Sequence, residues 1–293
     1  MKNNIFAMAI AAAAAVASVQ ATASNVDIYG EIGFGVESID GVDDLGLTSQ
    51  GGKLGFTGQA ESTEDFTFDY QVELSLDTVG VKEDVAVSQA NITVGMDVFE
   101  LTIGRHGDEV RETVTDLVDV FEYQADAPAQ SDAITFKTGD VLSVMASGVM
   151  DTTSEDMFDT VKMGASFKAS DRLTVAAFHE SNKDAIADNV DTMGFGGGLT
   201  SGDVYISAMW HGVDDGTNKV AHTYLAGTYT LDAMTVSGSL TSNDMDESKT
   251  TRLGAAYSFG DNAVAYADYS MANDTAEAAG KADTFLTGIR LSF

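Results

Sequence analysis

The sequence predicts an all-β protein, a closed antiparallel transmembrane β-barrel of about sixteen strands. Three observations support this fold class. Short segments that alternate between apolar and polar residues follow one another over most of the 293-residue chain. Beyond the amino-terminal segment, no stretch has the ~20 consecutive apolar residues that a membrane-spanning helix needs. The links between the segments alternate between very short turns and longer acidic loops, as they do in outer-membrane barrels.

The amino-terminal segment has the composition of a secretory signal peptide, which we assign to residues 1–23. Lys2 supplies the positive charge, and residues 5–19 form an alanine-rich apolar stretch that is too short to span a bilayer. Residues 21–23, Ala-Thr-Ala, fit the small-residue cleavage pattern. We therefore expect an exported protein with one domain over residues 24–293; a retained anchor helix is the less favoured alternative.

The clearest strand is predicted over residues 65–77. Its even positions from Phe66 to Leu76 are apolar, and its odd positions from Thr67 to Asp77 are polar. A helix cannot separate residues with a period of two, whereas a strand places them on opposite faces. The same alternation predicts sixteen strands in total, over residues 25–38, 50–60, 65–77, 86–96, 98–105, 131–138, 141–150, 158–168, 171–181, 190–200, 203–212, 219–230, 233–243, 248–259, 262–271 and 282–293.

The last of these strands indicates what the two faces meet. Phe285, Ile289 and Leu291 share one face, and Arg290 lies on the other. A strand that is apolar on one side and charged on the other suits a wall between lipid and water. The terminal Phe293 is similar to the aromatic carboxy-terminus of many outer-membrane barrels. We therefore expect the apolar faces to contact lipid and the polar faces to line a lumen.

The composition excludes several classes of function. The formal charge is −31, so the chain cannot hold a nucleic-acid backbone, which needs clustered Lys and Arg. The chain has no cysteine, which excludes disulfides and thiolate metal sites. Its four histidines, at positions 106, 179, 211 and 222, lie on separate segments, and no nucleophile–base motif or phosphate-binding loop accompanies them. We predict no enzymatic activity, no cofactor and no metal site.

A glycine-rich stretch over residues 194–198 lacks the Lys-Ser/Thr and the helix of a phosphate-binding loop. We expect its glycines on the inner face of a strand, where another backbone approaches closely. The longest predicted loop, residues 106–130, is the obvious partner. Apolar residues recur in it at near-helical spacing, which predicts a short helix, at Val110, Val114, Leu117, Val118 and Phe121.

Three short segments resemble those of the general porins of Gram-negative bacteria. They are residues 27–30 (Asp-Ile-Tyr-Gly), 53–58 (Lys-Leu-Gly-Phe-Thr-Gly) and 101–105 (Leu-Thr-Ile-Gly-Arg), and the long loop and Phe293 follow them in the family's order. The resemblance implies a sixteen-stranded homotrimer in the outer membrane, in contact with lipid and lipopolysaccharide. It also implies that the third extracellular loop folds into the lumen as a constriction. The chain departs from the family in having no basic residue between Lys82 and Arg105.

The resemblance and the polar faces together give a set of expected pore-lining or constriction residues. Lys53 and Arg105 follow from the matching segments. The loop and the polar strand faces supply the others, which are Arg111, Asp116, Asp119, Glu122, Arg172, Arg252, Arg290, Glu31 and Glu73. Basic residues on the wall, opposite an acidic loop, would set a transverse electric field across the opening.

The function that we predict is passive diffusion of ions and small hydrophilic solutes through a water-filled channel. The acidic composition predicts a preference for cations. A substrate-selective sugar channel of the same fold is the first alternative, with Tyr29, Tyr205 and Tyr224 as its candidate aromatic track. A surface adhesin or receptor barrel is the second alternative, and a soluble exported sandwich is the third.

Overall fold

The computed structural model describes residues 25–42, 45–60, 66–76, 85–121, 130–150, 158–183, 190–278 and 282–293. In this part of the chain, sixteen antiparallel strands close into one barrel. The strands are β1 (Asn25–Ile39), β2 (Gly46–Gln59), β3 (Thr67–Leu76), β4 (Val85–Met96), β5 (Phe99–Gly107), β6 (Gln130–Thr138), β7 (Leu142–Val149), β8 (Thr160–Ser170), β9 (Leu173–Asn182), β10 (Val190–Ser201), β11 (Val204–Asp214), β12 (Lys219–Leu231), β13 (Met234–Asn243), β14 (Lys249–Ser258), β15 (Ala263–Ala272) and β16 (Thr284–Ser292).

The predicted fold class is confirmed, and each predicted strand overlaps the corresponding strand of the barrel. The largest difference is at β2, which begins at Gly46 instead of residue 50. The first strand pairs with both β2 and β16, and this double pairing closes the sheet. At the seam, Gly30 and Phe293 exchange backbone hydrogen bonds of 3.0 and 3.1 Å. Closure leaves no unpaired strand edge.

Turns of two to four residues form six of the seven links on one rim of the barrel, which we call the short-turn rim; the seventh, between β2 and β3, spans residues 60–66. Four of these turns contain a residue in the left-handed backbone region, and in the two-residue turns these residues are Gly202 with φ of 60° and Asp232 with φ of 51°. Two-residue hairpins need such positive φ values because their twist then matches that of the strands, and Gly and Asp tolerate them best. The opposite rim carries the longer links and is the long-loop rim.

Side-chain exposure is the reverse of that in a soluble protein. Large apolar side chains face outward, as Phe195 (58% exposed) and Ile289 (54% exposed) do. Polar side chains such as Thr135 and Ser143 are buried on the inner side. An outer surface that is apolar around the barrel suits a hydrocarbon environment and excludes the soluble sandwich with a dry core.

Two helices accompany the strands, α1 (Glu109–Thr115) and α2 (Asp274–Ala278). The sequence predicted α1, and its position inside the barrel explains its apolar face: Val110 and Val114 are almost fully buried. The Asp108 side chain caps the helix by accepting a hydrogen bond from the backbone N–H of Arg111 at 3.2 Å. No helix in the described part of the chain is long and apolar enough to cross a membrane.

Candidate functional site

The candidate site is the barrel lumen together with the segment over residues 108–121, which we call the inner loop. Helix α1 at its start packs against β7, β8, β9 and β10. Val110 and Val114 form an apolar cluster with residues of these strands and of β11, namely Met145, Ala176, Phe178 and Met209. Burial of this apolar face stabilises the loop inside the barrel.

Glycines on the inner face make room for this packing. A Cβ at Gly164 would lie 3.0 Å from Cγ1 of Val110, and a Cβ at Gly196 would lie 3.4 Å from Cδ1 of Leu117. Gly196 belongs to the glycine-rich stretch in β10. The predicted close approach of the loop is therefore confirmed at Gly196, where the neighbouring loop atom belongs to the Leu117 side chain and not to a backbone; the other glycines of the stretch have their nearest neighbours on β9 and β11.

A cluster of four charged side chains fixes the start of the inner loop to the wall. Arg111 donates to Glu180 on β9 at 2.8 Å and lies 3.8 Å from Asp108. Lys162 on β8 forms an ion pair with Asp108 and lies 3.7 Å from Glu180. Each charge has an opposite charge beside it, which buried charges require. The loop and the wall each contribute one acid and one base.

The end of the inner loop is held at three further points. Tyr205 on β11 donates its hydroxyl to the carbonyl of Leu117 at 2.7 Å. Ser237 on β13 donates to the carbonyl of Val120 at 2.7 Å. The guanidinium of Arg252 on β14 lies 4.0 Å from the ring centroid of Phe121, which is within cation–π range. The described part of the loop therefore crosses the lumen along the wall from β7 to β14.

The opposite side of the lumen stays open as a cavity of about 870 Å³. On one side the cavity is bounded by carboxylates of the inner loop, namely Asp108, Glu109, Glu112, Asp116 and Asp119. On the β3–β5 side its described lining consists of amides, hydroxyls and one imidazole, namely Gln71, Gln89, Asn91, Thr93, Thr102 and His106. None of these is Lys or Arg, so the basic wall expected opposite the loop is absent from the described lining.

The two guanidinium groups in the cavity lining, Arg111 and Arg252, are both paired with wall acids. Arg111 pairs with Glu180, and Arg252 donates to Asp268 on β15 at 2.7 Å. Their positive charge is therefore largely offset within the wall. The loop carboxylates then determine the sign of the potential in the cavity.

The carboxyl group of Glu112 is the most perturbed acid of the inner loop. Its partial burial, first, and the neighbouring charges of Asp116, Asp108 and Glu109 together raise its pKa to about 7. Burial disfavours the charged form of an acid, and nearby negative charges disfavour it further. At neutral pH this carboxyl group is therefore close to half ionised.

Four other predicted residues lie on β1, β2, β3 and β16. Glu31 and Lys53 are direct cross-strand partners, and the Glu31 carboxylate lies 4.0 Å from Nε of Arg290. Glu73 is buried, and it accepts hydrogen bonds from Tyr29 at 2.8 Å and from Ser88 at 2.9 Å. These residues share the inner face but do not bound the main cavity.

The remaining predicted residues are separated from this site. Arg105 shares a cross-strand row with Ala90 and Asp132, and its odd-numbered neighbour Ile103 is exposed on the outer face. The register therefore turns Arg105 outward, because residues i and i+2 of a strand share a face. Arg172 is exposed in the tight turn between β8 and β9, and Glu122 lies outside the described residues.

The set of site residues predicted from the sequence omitted Glu180, although its carboxylate forms the ion pair with Arg111 that ties the loop to the wall. Its inner-face neighbours on β9 are Ala176 and Phe178, which are apolar because the inner loop covers them. The rule that polar faces point inward therefore gave no signal on this strand. Gln71 and Asn91 were omitted because neutral amides carry no charge signal, although they bound the cavity. Among the described residues, no group of three or more His, Asp or Glu side chains is arranged to hold a metal ion.

Comparisons with known proteins identify the family. A family model described as "Gram-negative porin" matches residues 8–277. The structure of OmpF from Salmonella typhi, in complex with daunomycin, is 17% identical in sequence and has a TM-score of 0.77, with 92% of this chain and 97% of that chain covered. A search of curated protein sequences finds no significant match.

Two further solved structures share the fold. The trimer form of OmpT, an outer membrane protein of Vibrio cholerae, is 17% identical, with a TM-score of 0.74 and coverage of 92% and 99%. A triple mutant of the Rhodopseudomonas blastica porin is 17% identical, with a TM-score of 0.73 and coverage of 92% and 100%. The match of the family model over most of the sequence, on a closed sixteen-stranded barrel, shows that the chain belongs to the family of Gram-negative porins.

Proposed function

We propose that this porin forms a cation-preferring, water-filled channel through which ions and small hydrophilic solutes diffuse passively across the outer membrane. The observation that carries the proposal is the charge of the described cavity lining, which contains five carboxylates and two guanidinium groups. Both guanidinium groups are neutralised by wall acids and Asp108 is paired with Lys162, whereas the other four loop carboxylates bound the cavity. A cavity with this balance concentrates cations and repels anions.

The amide wall adds to this preference without adding charge. Gln71, Gln89 and Asn91 present groups that can both donate and accept hydrogen bonds, so they can replace part of the hydration shell of a passing polar solute. We infer that solute selection depends on size and charge, and that no reaction is catalysed. The proposed pore-lining acids are Glu112, Asp116 and Asp119, with Glu31, Glu73, Lys53 and Arg290 on the same inner face.

We also propose that the chain is exported with cleavage after residue 23 and assembles as a homotrimer. The "trimer form" of the Vibrio cholerae protein, a structure of the same fold, supports the trimer. Outward-facing apolar side chains and the acidic long-loop rim suit contact with outer-membrane lipid and lipopolysaccharide. Mass spectrometry of the mature chain tests the cleavage site, and light scattering of detergent-solubilised protein tests the trimer.

The test of the channel is planar-bilayer recording of the full-length protein across a potassium chloride gradient. We expect discrete conductance steps and a reversal potential with the sign of cation preference. The double variant Glu112→Gln/Asp116→Asn should move the reversal potential toward zero. Asp132→Asn is the control for the loss of a carboxylate outside the lumen, because Asp132 lies on the outward-facing row with Arg105; each single variant of the pair, Glu112→Gln or Asp116→Asn, is compared with it. A reversal potential whose sign indicates a preference for chloride would contradict the proposal.

A further inference from the structure

Two of the four histidines, separate in sequence, meet on the inner wall. His211 on β11 and His222 on β12 are directly opposed cross-strand partners. They share the inner face with Met209 and Tyr224, which bound the main cavity one row away. The two imidazole rings are roughly parallel, at 22°, with their centroids 6.0 Å apart.

The His211 ring has an unsatisfied nitrogen. Its Nε2 atom is buried and has no hydrogen-bond partner in the part of the chain that the structure describes. Buried polar atoms without a partner are uncommon in native structures, and a ligand is one explanation for such an atom. An imidazole nitrogen that carries no proton is also a good ligand for transition metals.

We propose that His211 and His222 together bind a divalent transition-metal ion, such as Cu²⁺, Ni²⁺ or Zn²⁺, on the lumen wall. Two imidazoles that share one metal have centroids roughly 5–6 Å apart, because metal–nitrogen bonds are ~2.0–2.1 Å long. The observed separation of 6.0 Å already meets this condition. Binding therefore requires the rings to tilt so that one nitrogen of each points at the ion, without movement of the strands.

The neighbouring side chains that could act as further ligands are engaged elsewhere, so the two imidazoles are the protein ligands of this site. The amide oxygen of Asn243, next in the row, accepts a hydrogen bond from the backbone N–H of Met245 at 2.9 Å. Glu180 is engaged by Arg111 at 2.8 Å, and this pairing offsets the guanidinium charge. Water then completes the coordination shell. Imidazole ligands favour Cu²⁺, Ni²⁺ and Zn²⁺, whereas Mg²⁺ and Ca²⁺ prefer oxygen ligands.

The direct test is electron paramagnetic resonance of Cu²⁺ added to the untagged full-length protein in detergent. We expect hyperfine coupling to two imidazole nitrogens at one equivalent of copper per chain. Either His211→Gln or His222→Gln should remove the two-nitrogen spectrum. Each should also weaken binding at least about tenfold, the loss that follows removal of even an outer-shell partner of a metal. The two variants are independent, so failure of one to fold leaves the other as the test.

His179→Gln is the matched control because this third histidine faces outward, where it is 3.9 Å from Asp191. It should leave the copper spectrum unchanged. A spectrum without imidazole nitrogen, or one that survives both inner-wall substitutions, would overturn the proposal. This test does not depend on channel activity, so its result is separate from that of the proposed function.

A second measurement tests whether the site lies in the conducting path. Micromolar Zn²⁺ should reduce the single-channel conductance reversibly, whereas the same concentration of Mg²⁺ should not. The block should weaken as pH falls through the range in which imidazoles are protonated, because protons compete with the metal. If His211→Gln and His179→Gln channels are blocked equally, the assignment to this histidine pair is wrong.

Discussion

The two sides of the lumen differ in what covers them. The β7–β10 side lies under the inner loop, and its inner face combines small and apolar residues such as Gly164, Ala176 and Phe178 with the buried Lys162–Glu180 pair. The β3–β5 side faces the open cavity and carries amides and hydroxyls. All these strands alternate in the same way, yet their inner faces form a packing surface on the β7–β10 side and a solvated surface on the β3–β5 side. The composition of the inner face distinguishes the two sides.

Of the substitutions considered, Lys162→Met should most strongly weaken the attachment of the inner loop to the β7–β10 side. It leaves Asp108 and Glu180 buried together without the ammonium group that bridges them. Removal of one partner from a buried ion pair costs about 3–5 kcal/mol. We expect helix α1 to separate from the covered wall, which thermal unfolding of the barrel and increased open-channel current noise would reveal.

The double variant Lys162→Met/Asp108→Asn is the matching control for that prediction. It removes one charge of each sign, so part of the lost stability should return. Equal unfolding temperatures for Lys162→Met and the wild-type protein would show that the ion-pair cluster does not hold the loop.

Gly164→Leu should have the next largest effect. The added side chain would occupy the space of Val110, whose Cγ1 lies 3.0 Å from the position of a Cβ. Overpacking of this kind costs about 1–3 kcal/mol. It should push α1 away from the wall into the cavity, so we expect a lower single-channel conductance.

Gly238→Ala provides a control for the glycine substitution. Its nearest neighbour is Leu253, at 3.6 Å from the added Cβ, which is ordinary van der Waals contact. Its conductance should match that of the wild-type channel. A Gly164→Leu channel with unchanged conductance would mean that the loop does not rest on this glycine.

Tyr205→Phe should have a smaller effect. It removes the hydrogen bond from the hydroxyl to the carbonyl of Leu117 while it keeps the ring. A hydrogen bond of this kind contributes about 1 kcal/mol. We expect a small decrease in the unfolding temperature and an almost unchanged conductance; complete loss of the conducting state would contradict the distributed attachment of the loop.

The smallest effect should come from the titration of Glu112. Its pKa of about 7 means that the carboxyl group is mostly ionised at pH 8 and mostly protonated at pH 6. One charge acting through water contributes about 1 kcal/mol or less. Cation preference should therefore fall modestly as pH decreases through 7, and Glu112→Gln should flatten this dependence. A preference that rises on acidification would contradict the assignment.

Much of the fold could be predicted because the controlling signals are local. Alternation with a period of two lies within each strand, and the spacing of Val110 and Val114 lies within one short helix. Barrel closure followed from the need to satisfy every backbone group in lipid. Gly196 in the glycine-rich stretch of β10 could be interpreted correctly, because glycine in a strand indicates close approach of another segment.

The site was less predictable because its arrangement depends on contacts between distant segments. Arg105 was expected in the lumen from its sequence context, but the register of β4, β5 and β6 turns it outward with Ala90 and Asp132. Glu180 was missed because apolar neighbours surround it on the inner face. The destination of the inner loop decides both which wall is apolar and which carboxylates face water, and the local pattern indicates that destination at one point alone, Gly196 on β10.

The most direct test of the difference between the covered and the open side of the lumen is thiol labelling, because the native chain contains no cysteine. Asn91→Cys places a thiol on the open wall, and Ala176→Cys places one beneath the inner loop. A membrane-impermeant, water-soluble thiol reagent should modify Asn91→Cys rapidly and reduce its conductance, whereas Ala176→Cys should react slowly. Equal labelling rates, or faster labelling of Ala176→Cys, would contradict an inner loop that covers one wall and leaves the other to solvent.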